Sequence, residues 1–298
     1  MQELLRPDGP TRPEALSRCR RFLGAKWRGF GPGRLLLPAD RRADLVAALA
    51  WVAAVQEVRR ADDSVGGTAA LADVLAEIER GAARTTLAVA LQPVVHAYGI
   101  SLVQLRGPLS EIDRVAAVRS FETRTMLAKH ARRLGAPLGR LLLSVLGENG
   151  EKEELLADAL AVGLCRIGWL RDLRADLARG RLFVAVEDLL ECRLDILSLQ
   201  EALASGVDER AHELVRLQIA EARAELAKGW PLCELLGPWH GRRLAFVLRW
   251  HAATLSAIEA RGHRIPAGPL PAGWLRALAC GVASARGTAA PFALQSPA

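Results

Sequence analysis

Asp172 and Asp176 stand four residues apart in the stretch WLRDLRADLARGR, residues 169–181, with Arg171, Arg174, Arg179 and Arg181 around them. In a helix, side chains at i and i+4 share a face, so the two carboxylates project side by side. Such a pair offers oxygen donors to a hard divalent cation, which commonly shares its coordination with phosphates. Arginines alongside suit the phosphates, because a planar guanidinium makes two parallel hydrogen bonds to a phosphate edge. An ion-paired helix end in solvent is the plain alternative, and the stretch by itself does not separate the two.

A second acidic pair, Asp62 and Asp63, follows Arg59 in VRRADDSVGG at the end of another apolar helix. Two helices facing each other across a bundle, each with carboxylates at its end, can hold Mg²⁺ ions against a diphosphate. That arrangement suits ionisation of an allylic diphosphate, where metal and arginine charge stabilise the departing group. Apolar bundle walls would hold the isoprenoid chain and keep water from the carbocation.

The elements that must position these residues are helices. The chain has 298 residues, 51% hydrophobic and only 5% aromatic, rich in Ala, Leu, Arg and Glu, which keep their rotamer freedom in a helix. Strand-like alternation, fixed-period repeats and long linkers are absent. Helices are expected from about 41 to 60, over AALADVLAEIERG and TTLAVALQPVVHAYG, as a pair over about 111–147, and over about 151–179, 186–204, 208–229, 240–262 and 271–285. The glycines of DDSVGGT are expected to end one element, and LGAPLG to kink or divide another. The reading is an all-α fold, one bundle of about ten helices around a central apolar cavity. Residues 1–38 are expected as an irregular N-terminal segment, 39–286 as the helical domain, and 287–298 as a disordered tail.

Five scattered cysteines, without a C-x-x-C, imply neither a disulfide framework nor a zinc site and suit a reducing cytoplasm. MQELLRPDGPTRPE lacks an apolar signal-peptide core, and no run of about twenty apolar residues crosses a bilayer. The net charge of +7 and isoelectric point near 9.7 fit anionic membrane, phosphorylated small molecules or nucleic acid. Nucleic acid is disfavoured because the basic residues show no aromatic interleaving. Lys26, Arg28 and Arg34 are candidates for a diphosphate or an anionic membrane, and otherwise are solvated. His240 and His251 are given no role.

LADALAVGLCRIGWLRDLRADLARGRLFVAVEDL resembles the second aspartate block of the squalene/phytoene synthase family, SDAxCxxLQLxNxxxDxxxDxxxGRxYLPxEDL. Asp158, Asp172, Asp176, Gly180, Arg181, Glu187, Asp188 and Leu189 fall on its positions. EVRRADDSVG resembles the first block, FCRxxDDxxD. MLAKHARRLGAPLGRLLLSVLG, LVRLQIAEARAELAKGWPL and LSAIEARGHRIP resemble further blocks in the same order. Among members, the chain is most similar to the bacterial hydroxysqualene synthases of the hopanoid pathway. The resemblance implies the all-α isoprenoid synthase fold and a Mg²⁺-dependent transferase that couples two farnesyl or geranylgeranyl diphosphates head to head through a cyclopropyl intermediate. It implies Asp62, Asp63, Asp172 and Asp176 as metal ligands, with Arg59, Arg179 and Arg181 on the diphosphate. His130, where the family has tyrosine, becomes a candidate base or hydrogen-bond donor near the cation. NADPH is needed only if squalene is the product. A cytoplasmic protein is expected, peripheral at the inner membrane surface.

The blocks also depart from the family pattern. Gly66 replaces the third aspartate of the first block, Cys165 and Gly168 replace a glutamine and an asparagine, Phe183 replaces a tyrosine, and Glu221 reverses an arginine. Each change singly has a harmless reading; together they thin out metal and phosphate ligation at both clusters. A second reading therefore stands beside the enzyme: a non-catalytic lipid-binding or assembly protein that keeps the fold.

Overall fold

The computed structural model describes residues 1–26, 37–205, 208–261, 280, 283–284 and 287–288. Most of these residues are helical, and the β-contact among them is one isolated bridge, Phe121 to Ala185. The chain groups into two compact units, Met1–Ala116 with Pro137–Glu154, and Ala117–Ala136 with Leu155–Ala298.

The first unit contains α1 (Arg12–Lys26), α2 (Arg42–Arg60), α3 (Ser64–Glu79), α4 (Thr86–Ala97) and α5 (Leu102–Val115). Helix α1 stands where an irregular segment was expected. Its buried residues Ala15, Leu16, Cys19, Phe22 and Leu23 recur at helical spacing among arginines, a pattern masked by the flanking prolines. KWRGFGPGRLLLP lies mostly outside the described residues, as does the stretch expected as a helix over 271–285 and most of the tail. Helix α2 packs against α1, α3 and α4, and its run of alanines around Trp51 is buried nearly all round. Small side chains let several neighbours approach one helix at once. Gly67 serves the same end, since a Cβ there would lie 2.9 Å from both Val58 methyls. The paired glycines thus do not end an element. They sit in the first turn of α3, which starts at Ser64 behind an Asp63 cap.

Helix α6 (Arg124–Leu146) crosses the unit boundary at Pro137, and α7 (Glu151–Ala178) enters the second unit after its first turn. The expected division at LGAPLG is not there; α6 runs through it unbroken. Its glycine has a packing reason: a Cβ on Gly135 would sit 3.0 Å from Cys165 Sγ and 3.1 Å from the Ala161 carbonyl. The second unit also contains α8 (Val186–Glu191), α9 (Ile196–Ser205), α10 (Glu209–Gly229), α11 (Leu232–Leu235) and α12 (Gly237–Glu259). One helix was expected over 186–204. Arg193 instead adopts a left-handed φ of 55°, and α9 restarts behind a reciprocal cap in which the Ser198 amide donates to Asp195 Oδ1 at 2.7 Å and the Asp195 amide to Ser198 Oγ at 2.9 Å. Gly163 and Gly229 bring α7 and α10 together, where added Cβ atoms would meet Leu226 and Leu160.

Candidate functional site

In the first unit, α2 delivers Arg59, which is buried, and ends at Arg60. Asp62 and Asp63 follow in the exposed link to α3. The Asp63 carboxylate is engaged: Oδ1 accepts from the Gly66 amide at 2.8 Å, satisfying one orphan donor of α3. A Cβ at position 66 would lie 2.3 Å from Asp63 Oδ2, so the cap occupies space that a side chain at 66 would need. Lys26 pairs with Glu57, one turn before the same helix end, while Arg28 and Arg34 lie outside the described residues.

In the second unit, α7 delivers Asp172 and Asp176 and then stops sharply. Gly180 takes a left-handed φ of 70°, its amide donates to the Leu177 carbonyl at 2.9 Å, and the Arg181 amide donates to the Asp176 carbonyl at 2.9 Å. This double-bonded glycine stop turns the chain so that Arg181 reaches back over the last turn. Arg181 Nη2 comes within 3.5 Å of Asp176 Oδ1, and Asp176 is only 1% exposed. Arg171 Nε donates to Asp172 Oδ1 at 3.0 Å. Arg179 points outward and donates to the Ala175 carbonyl at 3.3 Å. The structure therefore brings Asp172, Asp176 and Arg181 together at one helix end.

Beside that end lies a stack of rings. His130 is fully buried, 5.0 Å from Phe121, 5.6 Å from Trp169 and 5.8 Å from Phe183 between ring centroids, and Trp169 and Phe183 are 5.2 Å apart at 12°. Two backbone hydrogen bonds hold the loop carrying Phe183, Leu182 amide to Arg119 carbonyl and Val186 amide to Phe121 carbonyl, both 2.8 Å. Trp169, Phe183, Leu170, Leu173, Val184, Arg166 and Gln218 line a small recess of about 220 Å³, part of it open to solvent.

Below the recess runs a charge network that sequence reasoning missed. Arg124 of α6 donates through Nε to Asp188 and through Nη2 to Glu191, and Glu187 accepts from its backbone amide. Asp188 is fully buried and takes a second bond from Gln218 Nε2 at 2.7 Å. These carboxylates, Asp188 first, hold the Arg124 guanidinium above its ordinary value. The EDL motif is thus an anchor for α6. Arg166, at a position where the family pattern has leucine, donates to Glu221, where the family has arginine. Burial pushes the Glu221 carboxyl up, and the Arg166 charge opposes that shift. His251 was given no role from the sequence. It sits on α12 near Arg171, and burial first, then that positive charge, pushes its imidazole down to about 4, leaving it neutral at pH 7.

Among the described residues no three His, Cys, Asp or Glu side chains gather as a ready-made metal cluster. The donor chemistry nonetheless fits Mg²⁺, because Asp172 and Asp176 are hard oxygen donors on one face and a diphosphate completes such a coordination shell. None of the five cysteines is in a disulfide among the described residues.

This architecture is that of the all-α isoprenoid synthases. It superposes on a squalene synthase, HpnC, from Alicyclobacillus acidocaldarius with a TM-score of 0.73, at 22% identity over 87% of this chain and 97% of that one. On a ligand-bound dehydrosqualene synthase the TM-score is 0.83, at 16% identity over 92% and 96%. The chain belongs to the squalene/phytoene synthase family, whose sequence model matches residues 28–276. It is 27% identical to a phytoene synthase of Arthrospira platensis, covering 72% of this chain and 74% of that protein. A 15-cis-phytoene synthase of Synechocystis is 26% identical, covering 75% and 72%.

Proposed function

We propose that this protein is a prenyl-transferring synthase that ionises farnesyl diphosphate, or a relative of similar length, and couples two such molecules head to head. One observation carries the reading: the α7 end keeps Asp172, Asp176 and Arg181 together, with Arg181 turned back onto Asp176 by the glycine stop. Asp172 and Asp176, with Asp62 and Asp63, would hold Mg²⁺, which when bound supplies positive charge to the departing diphosphate. Arg59, Arg179 and Arg181 bind its phosphate oxygens. The allylic C–O bond breaks with its electron pair leaving on the diphosphate, and a double bond of the second molecule then attacks the cation; the carbocation so formed loses a proton to the released diphosphate as the cyclopropyl ring closes. The Trp169 and Phe183 rings offer their faces to positive charge and exclude water. His130, sealed within the stack, serves this reading as a positioning residue for those rings. NADPH enters only if the coupled product is reduced to squalene.

The second reading, a lipid-binding or assembly protein without catalysis, is favoured by one observation, the commitment of Asp63 to the α3 cap. Calorimetry with an unreactive farnesyl diphosphate analogue separates the two. The synthase reading expects binding that requires Mg²⁺ and is lost in Asp172→Asn/Asp176→Asn; the alternative expects binding indifferent to both. Contact with the membrane surface belongs to either reading.

A further inference from the structure

Helices α11 and α12 meet at a rigid corner. Gly237 turns the chain with a φ of 70°, and Gly241 packs so closely that a Cβ there would lie 1.8 Å from the Cys233 carbonyl oxygen. Any side chain at 241 would push α12 away, so the corner has one geometry. On its outer side stand Leu235, 38% exposed, Pro238, also exposed, and Trp239, which at 74% is the most exposed aromatic ring among the described residues. The inner face of α12, with Ala245, Leu248, Ala252, Leu255 and Ile258, is buried.

Spacing places Arg242, Arg243 and Phe246 on the same helix face as Trp239, at i+3, i+4 and i+7. Arg242 is exposed and Arg243 half-buried, and neither makes an ion pair or hydrogen bond among the described residues. Three arginines of this unit are matched by acids: Arg210 by Asp208, Arg216 by Glu213 and Arg223 by Glu259. The neighbouring carboxylate of the corner, Glu234, is outnumbered by the two guanidinium groups. Uncompensated positive charge therefore coincides with the most exposed tryptophan.

We propose that this corner is the surface by which the protein docks on an anionic lipid bilayer. An amphipathic tryptophan rests at the level of lipid headgroups, with apolar neighbours entering the acyl boundary. Guanidinium groups one turn away meet lipid phosphates. A protein partner would need an acidic face with an apolar pocket; a bilayer carrying anionic lipid supplies both features without further specificity, and the net charge of +7 favours it. No helix of the described residues is long and apolar enough to cross a membrane.

The test is co-sedimentation of the full chain with vesicles of phosphatidylcholine, alone or mixed with phosphatidylglycerol. Binding to the mixed vesicles, absent from the neutral ones and weakened by salt, is expected. Leu235→Ser/Trp239→Ser and Arg242→Glu/Arg243→Glu should each lower the partition coefficient at least about tenfold, with the helical circular dichroism and melting curve unchanged. A charge-matched control elsewhere, Lys129→Glu/Arg132→Glu, should lower it much less. Equal loss in the control would mean diffuse electrostatics and overturn the assignment, as would no binding by the unaltered protein. Self-association that Trp239→Ser abolishes, without vesicle binding, would make the corner an interface between copies and also overturn it. The experiment needs no catalytic activity, so its outcome is independent of the synthase reading.

Discussion

Arg166 of α7 donates to Glu221 of α10, two positions at which this chain departs from the family pattern. Glu221 viewed by itself is a reversed arginine and a sign of decay. Paired with an arginine that stands at the pattern's leucine, it is one half of a double swap that replaces a lone positive charge under the recess with a neutral ion pair. Arg124 Nε lies 3.7 Å from the same carboxylate, so the swap is tied into the network that anchors α6.

The swap predicts strong non-additivity. Arg166→Leu leaves Glu221 half-buried against a lost partner and should cost about 3 kcal/mol. Arg166→Leu/Glu221→Leu removes both charges and should recover most of that. Urea unfolding of the four proteins in a double-mutant cycle measures the coupling; additive costs would show that the pair is incidental.

Position 66 controls Asp63. Asp63→Ala removes the α3 cap and should cost about 1 kcal/mol. Gly66→Asp places a Cβ where the Asp63 carboxylate now lies, so that carboxylate must rotate off the cap. On the synthase reading the variant tightens Mg²⁺-dependent binding of the diphosphate analogue in calorimetry. Unchanged affinity would mean that the first acidic cluster takes no part.

The ring stack predicts what His130 tolerates. His130→Phe keeps a planar ring among Phe121, Trp169 and Phe183 and should stay within about 1.5 kcal/mol of the parent, whereas His130→Ala opens a cavity and should cost about 2–4 kcal/mol. Thermal melts check the stability. Analogue binding retained in His130→Phe and weakened in His130→Ala would identify a positioning role; loss in both would point to the imidazole nitrogen atoms.

Alkaline instability follows from two buried thiols. Burial pushes Cys19 and Cys233 from 9.0 up to about 12. In the unfolded chain they ionise at 9.0, so between that value and about 12 the folded state holds more protons. Their contribution to stability is complete below 9.0 and is lost as the pH rises to about 12. Urea midpoints of the native protein should fall more steeply over this range than those of Cys19→Ala/Cys233→Ala. Equal slopes would contradict the assignment.

Much of the helical order was legible because Ala, Leu and Arg favour helices and polar punctuation separates them. Misreadings clustered where glycine or proline does a tertiary job. Gly66 and Gly67 read as a stop but sit inside α3, one beneath the Asp63 cap and one against Val58. Gly135 read as a turn but admits Cys165. Helix α1 was hidden by arginines and prolines around its apolar stripe. The grouping of Asp172, Asp176 and Arg181 at one helix end was legible because i+4 spacing and a helix-stopping glycine are local signals. Arg166–Glu221 and Arg124–Asp188 were not, because residues 55 and 64 apart in sequence meet only through packing.

The central claim is tested most directly by incubating the purified protein with farnesyl diphosphate and Mg²⁺, with and without NADPH, and analysing the extract by mass spectrometry. The account predicts a product built from two farnesyl chains that requires Mg²⁺ and disappears in Asp172→Asn/Asp176→Asn. Unchanged substrate, with no Mg²⁺-dependent binding of the unreactive analogue, would contradict it and leave the fold to a non-catalytic role.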